Sequence, residues 1–206
     1  MYAAYRPADE NNTYWRFGQF LFPMWTMPPI GNISKNILTR AYVPIDDENC
    51  WAWSYDYHPT RALTDKERQA MIDGKGIHVR NIPGTFRPVA NKDNDYLIDR
   101  AGQKAGKTFS GVHGVAQQDA SVQESMGPIV DRTQENLCTT DNAIIMARQR
   151  LLKAAAAHDE GVEPPGLSAR CHAVRSASFV LPEGELFHEA RADALVARSG
   201  VAHTSI

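Results

Sequence analysis

Asp119 is the residue of this chain whose position asks for chemistry. It lies in the stretch Val112 to Pro128, which reads as one short helix, with Gly114 before it and Gly127-Pro128 ending it. At about 100° per residue, Val115, Asp119, Val122 and Met126 fall on one side. The period therefore predicts a carboxylate in the middle of an apolar stripe that faces the core. Glu124 falls on the opposite side, where a charge is unremarkable. A bare buried carboxylate is costly unless it is paired or bound to a metal. Two accounts stand for Asp119: it is satisfied by an arginine or by backbone amides, or it is a metal ligand or catalytic acid.

Other positions carry weaker signals. Arg16 sits on an aromatic strand and suits either a bidentate contact to an anionic substrate or a partner for a buried acid. Trp51, Trp53, Tyr55 and Tyr57 alternate with Ala52, Ser54, Asp56 and His58, so one face of that segment is a wall of aromatics. Such a wall either packs a core or lines a cavity for an aromatic ligand. His58 ends the polar face, where a turn cap competes with a ligand role. For His113, in a Gly-flanked turn, a bond to backbone competes with reaching the Asp119 pocket. Cys171 and His172 are adjacent in an extended segment, point opposite ways and make a poor chelate. There is no P-loop, no His-Glu-x-x-His and no Gly-x-Ser-x-Gly.

The elements that must position these residues come in a clear order. Residues 1–13 read as polar and irregular. Strands are expected over Tyr14–Phe22, Leu38–Val43 and Cys50–Tyr57, with proline-broken sequence between the first two. Thr64 and Glu67 form a capping box that opens a helix to about Asp73. Residues 75–107 are loop-rich, with Tyr96-Leu97-Ile98 an apolar island; a loop this long is usually functional or part of an interface. A longer helix is expected over about 141–158, then an extended tail over 162–182 and a terminal surface helix over 183–198. Strands first and helices late is an α+β pattern, a helix laid on an antiparallel sheet.

Length and composition set the class. With 206 residues, a 22% charged and 43% hydrophobic composition and a formal net charge of -2, the chain is an ordinary globular domain. That balance gives no electrostatic case for nucleic acid or an anionic membrane surface. No apolar run approaches the length of a membrane span. Cys50, Cys138 and Cys171 are widely spaced and form no disulfide framework, so a cytoplasmic location is expected.

Several separated motifs resemble one family. Asn94-Asp95-Tyr96-Leu97-Ile98-Asp99-Arg100 with Gln103 comes first. Phe109-Ser110-Gly111-Val112 and Gln118 to Arg132 follow, and then the helix opening at Asp141. Together with Tyr14-Trp15-Arg16-Phe17 and Asn49-Cys50-Trp51-Ala52-Trp53, they resemble the C-terminal catalytic region of Rieske-type aromatic-ring oxygenase large subunits, of the phthalate 4,5-dioxygenase kind. The resemblance covers most of residues 1–160. It implies a helix-grip catalytic domain, an antiparallel sheet wrapped on a long C-terminal helix, with residues 161–206 as an extended tail and terminal helix. It further implies a mononuclear Fe(II) held by two histidines and a carboxylate, with open positions for O2 beside the substrate. Carried onto this sequence, the carboxylate is Asp119.

The family's histidine pair, in an Asp-x-x-His-x4-His motif upstream of the aromatic strands, has no match here. Neither do the Cys-His pairs of the N-terminal domain that holds a [2Fe–2S] cluster. The chain is therefore expected to be the C-terminal part of a longer protein and inactive alone. The full enzyme would hydroxylate an aromatic acid with O2, take electrons from a reductase and assemble as a trimer. Asp119 would hold iron, and Arg16, Trp51 and Trp53 would border the substrate pocket. An aryl-ether O-demethylase of the same family and a non-enzymatic aromatic-ligand-binding fragment are the alternatives.

Overall fold

A computed structural model describes residues 1–29, 36–190 and 192–197. The chain divides into two compact units: one of Met1–Pro44, Cys50–Ala62 and Glu135–Ile206, the other of Ile45–Asn49 and Leu63–Gln134.

The first unit is built on an antiparallel sheet of β1 (Tyr2–Pro7), β2 (Asn12–Leu21), β3 (Trp25–Met27), β4 (Ile37–Pro44), β5 (Cys50–Tyr57) and β6 (Ala177–Pro182). The strands lie in sequence order from β1 to β5, and β6 pairs with β2. The three expected strands form close to where periodicity placed them. β1 was not expected, because every residue in it is exposed and no apolar alternation marks it. It is held by its ladder to β2, from Tyr2 opposite Gly18 to Pro7 opposite Thr13, with Tyr5 against Trp15 and Arg6 over the Tyr14 ring.

The core of this unit forms where β2 and β6 meet. Phe17 and Ala177 face each other in register and are fully buried, and Leu195, also buried, packs with them. The small Ala177 leaves room for rings: Phe17 lies 5.0 Å from Phe179 and 4.7 Å from Phe187 between centroids, and Trp15 stacks on Phe17 at 5.8 Å. Burying such a ring contributes about 1.5–3 kcal/mol. Phe187 belongs to α5 (Phe187–Ala190) and Leu195 to a 3₁₀ turn over Ala192–Leu195. These replace the single helix expected over 183–198; Arg191 and Arg198 lie outside the described residues. The cause is backbone competition. Arg175 N–H donates to Leu195 O and Ala197 N–H to Ala173 O, so this backbone pairs across to 173–175 and does not continue a helix.

The expected long helix is α4 (Asn142–Asp159). None of its residues is buried, and Ile144, Met146 and Leu152 are exposed. Its Arg150, Lys153, Ala154 and Ala157 border a groove of about 460 Å³ with Phe22 and Val162. No helix among the described residues is long and apolar enough to cross a membrane.

The second unit holds α1 (Asp65–Ile72), α2 (Arg100–Lys104) and α3 (Val115–Glu124), with long connections between them. The predicted capping box is in place: Glu67 N–H donates to Thr64 Oγ1 at 3.2 Å, and Thr64 N–H to Glu67 Oε2 at 2.7 Å.

The Phe17 site gives a direct test of the core. Phe17→Ala is expected to lower the stability of the sheet unit by about 3–5 kcal/mol, read as the shift of a urea unfolding midpoint followed by tryptophan fluorescence.

Candidate functional site

α3 begins at Gly114, whose φ of 87° suits glycine, and closes near Gly127, at φ 92°. Its buried residues are Ala116 and Gln117. The stripe predicted to face the core does the reverse. Val115 is 62% exposed, Val122 65% and Met126 54%, and Asp119 is exposed with them. The reason is the opposite side of the helix, which is tied down. The Gln117 side-chain amide donates to Ala90 O, and the Tyr96 hydroxyl donates to Glu124 Oε2. Glu124 is exposed, as an unremarkable surface charge would be, and it also anchors the helix through Tyr96; Asp119 is exposed on the other side.

The long connection before α3 is folded tightly around these anchors. Asn91 caps a 3₁₀ segment over Lys92–Leu97: Asp93 N–H donates to Asn91 Oδ1 at 3.0 Å, and Asn91 N–H to Asn94 Oδ1 at 2.9 Å. Asp95, Tyr96 and Leu97 then take φ values of 48°, 54° and 52°. Side chains in this left-handed region cost roughly 1–2 kcal/mol each. The cost is offset locally. Tyr96 N–H donates to Asn91 O at 2.9 Å, Ile98 N–H to Asp95 O at 3.1 Å, and the Tyr96 ring is buried. Farther on, Asp99 N–H donates to Gly111 O at 2.9 Å, and Asp99 Oδ1 accepts from Gly102 N–H at 2.8 Å. Gly111 has φ 77°, and a Cβ there would meet Asp99 O at 2.9 Å.

Burial of the ring pushes the Tyr96 hydroxyl well above the ordinary tyrosine value of 10.0, and the hydrogen bond to Glu124 and its negative charge push the same way.

Among the described residues, no group of three or more histidine, cysteine, aspartate or glutamate side chains stands together to hold a metal ion. Asp119 offers one outward carboxylate, which fits a single ligand position of a three-ligand site. His58 is half-buried, and its Nδ1 lies 3.3 Å from Thr60 N, a turn-capping contact. His113 is exposed. His172 Nε2 lies 2.8 Å from Gly166 O.

In the sheet unit the aromatic wall is a ladder. Trp51 and Trp53 have centroids 5.7 Å apart, Trp53 and Tyr55 6.4 Å, and Trp25 reaches Tyr55 at 5.3 Å. Ala41 is buried and lies opposite both Trp25 and Trp53, so its small side chain makes room for the indoles on either side. Trp51 is 40% exposed and Trp53 39%, so the ladder keeps ring faces accessible. Arg16 is exposed too, opposite Ser178 and Ala4. Register links the ladder through Trp25 to Leu21, and alternation along β2 puts Arg16 on the other side from Leu21. Trp51 and Trp53 therefore share a surface, and Arg16 does not join them.

Sequence reasoning missed Tyr96 and Glu124. The signal was the apolar island around Tyr96 inside a polar loop, which a buried ring explains.

A family model described as LigXa C-terminal domain like matches residues 1–186. The chain is 36% identical over 211 residues to a 3-chlorobenzoate-3,4-dioxygenase oxygenase subunit of Comamonas testosteroni, covering 95% of this chain and 49% of that protein. It is 28% identical over 181 residues to a phthalate 4,5-dioxygenase oxygenase subunit of Pseudomonas putida, covering 86% and 40%. The chain thus spans about half the length of the curated relatives it matches, or less.

Two measurements check this geometry. Gly111→Ala is expected to destabilise the helical unit by about 1–3 kcal/mol, read from thermal or urea unfolding. Tyr96 has a raised folded pKa, so its contribution to stability is fully present below the unfolded value of 10.0 and is lost as pH rises through the folded value. A phenolate absorbance titration should show Tyr96 ionising last, after Tyr2 and Tyr57, which burial also raises, and Tyr96→Phe should remove that last phase.

Proposed function

Because the chain belongs to the LigXa C-terminal domain-like family, we propose that it is the C-terminal part of the catalytic domain of a Rieske-type oxygenase that hydroxylates an aromatic acid with O2. The observation that carries this reading is Asp119: an exposed carboxylate flanked by exposed Val115, Val122 and Met126 on a helix anchored by its other side. A ligand to a metal shared with residues from elsewhere must project away from its own packing, and an apolar surround limits water near the site. The related proteins are named for 3-chlorobenzoate and for phthalate, both aromatic carboxylic acids. A substrate of that class, of the phthalate type, is the reading adopted here.

When bound, the mononuclear Fe(II) supplies the activation of O2, with Asp119 as its carboxylate ligand and two histidines from the preceding part of the protein completing the set. Trp51 and Trp53 present half-exposed ring faces suited to stacking on a planar aromatic substrate, at about 0.5–1.5 kcal/mol per ring beyond burial. Arg16, on the other side of the sheet from that wall, fits poorly as its carboxylate anchor. We assign residues 1–160 to a helix-grip domain, with strands β1 to β5 as the grip and α4 as the candidate long helix, and residues 161–206 to an extension that adds β6 to the sheet and Phe187 to its core. A [2Fe–2S] cluster in the preceding domain, a reductase donor, a trimeric assembly and a cytoplasmic location complete the proposal.

The test uses the complete oxygenase subunit, encoded by this chain with its in-frame upstream region. That region is expected to carry the Asp-x-x-His-x4-His pair and two Cys-His pairs. Asp119→Ala is expected to weaken mononuclear iron binding by more than about 100-fold and to abolish hydroxylation, with the [2Fe–2S] absorbance unchanged. Stoichiometric mononuclear iron retained in Asp119→Ala would overturn the assignment.

A further inference from the structure

α3 has ten residues and buries only Ala116 and Gln117, so side-chain packing does little to fix its rotation about its own axis. Two hydrogen bonds act where packing does not. Gln117, in the first turn, donates to Ala90 O, and Glu124, the last residue, accepts from the Tyr96 hydroxyl. These anchors are seven residues apart, within about 20° of two full turns, so they lie on the same side of the helix. Asp119 projects roughly 150° away from that side. One anchor alone would leave a pivot; two at opposite ends do not.

We propose that Tyr96 and Glu124 are positioning residues, which lock the rotation of α3 and so aim the Asp119 carboxylate outward at a fixed angle. The inference rests on Asp119 being an iron ligand, and it adds the device that orients it. The left-handed run at Asp95, Tyr96 and Leu97 belongs to the same device. It turns the chain so that the Tyr96 ring is buried and its hydroxyl meets the C-terminal end of α3. Asn91 and Asn94 hold the start of that run through backbone and side-chain bonds, and Asp99 with Gly111 closes its far end.

The experiment compares Tyr96→Phe, Glu124→Ala and Glu124→Gln. Glutamine keeps an acceptor oxygen for the Tyr96 hydroxyl; the other two remove the bond. The first readout is amide hydrogen exchange over residues 115–124, collected without metal. Exchange is expected to quicken about tenfold or more in Tyr96→Phe and Glu124→Ala, the loss expected for a hydrogen bond to a charged group, and to stay near wild type in Glu124→Gln. The second readout is Fe(II) affinity of the complete subunit. It is expected to fall about 10- to 100-fold in the first two variants and to be restored in Glu124→Gln. Unchanged exchange and unchanged iron affinity in Tyr96→Phe would overturn the proposal. So would faster exchange with unchanged affinity, because the bond would then hold the helix without aiming the ligand. If Asp119→Ala keeps its iron, the ligand reading itself fails, and the metal-free exchange data tell that failure apart. Tyr96→Phe and Glu124→Gln change few atoms and keep the comparison readable if Glu124→Ala does not fold.

Discussion

A short helix with little buried surface is held by whatever hydrogen bonds reach it, and α3 depends on the one between the Tyr96 hydroxyl and the Glu124 carboxylate. A bond of this kind, with an ionised acceptor, contributes about 1.5–3 kcal/mol, whereas burying a single alanine methyl contributes about 0.8 kcal/mol. The polar anchor thus outweighs the apolar one here. This inverts the usual relation between an amphipathic helix and its core. The polar side is fastened down, and the apolar side with its carboxylate is left outward. The left-handed residues, the Asn91 cap and the Gly111 close approach lie on the stretch that brings Tyr96 to this bond.

The sheet unit relies on a different physics. Its stability lies in ring contacts around Phe17 and in small residues, Ala177 and Ala41, that let large neighbours sit in register. The same rule of one small residue between large ones gives a buried cluster at β2 and β6, and a half-exposed ladder at β5. Burial separates them: the first is covered by Phe187 and Leu195, and the second keeps ring faces accessible.

Periodicity was a good guide wherever a segment buries one face and exposes the other. β2, β4, β5, α1 and α4 all form within a few residues of their expected positions. The order of strands and late helices foretold an α+β chain with an antiparallel sheet. β1 escaped because both its faces are exposed, and the α5 region because its backbone is used by residues 173–175. The larger miss is the sense of α3. Its apolar stripe was correctly drawn, but a hydrophobic pattern says only that a face wants cover, not that this stretch of chain supplies it. The contact that decides the matter joins residues 28 positions apart through a hydroxyl and a carboxylate. No local pattern encodes such a pair. The motif resemblance, by contrast, pointed to a family, and the family match over residues 1–186 agrees with that; its assignment of Asp119 is a proposal.

The pairing of β2 with β6 carries a kinetic consequence. Gln19 donates to the backbone of Arg175, 156 positions along the chain, and Phe17 gains its covering residues from the same late segment. Contacts so distant in sequence raise the contact order of the unit and slow its closure. During synthesis, β1 to β5 can assemble while Trp15 and Phe17 still lack Phe179, Phe187 and Leu195. The nascent sheet therefore waits, with Trp15 and Phe17 of β2 uncovered, until residues 177–195 have emerged. A chain stopped soon after α4 would carry that waiting state permanently, and loss of the C-terminal segment would weigh on solubility before it touched any functional residue.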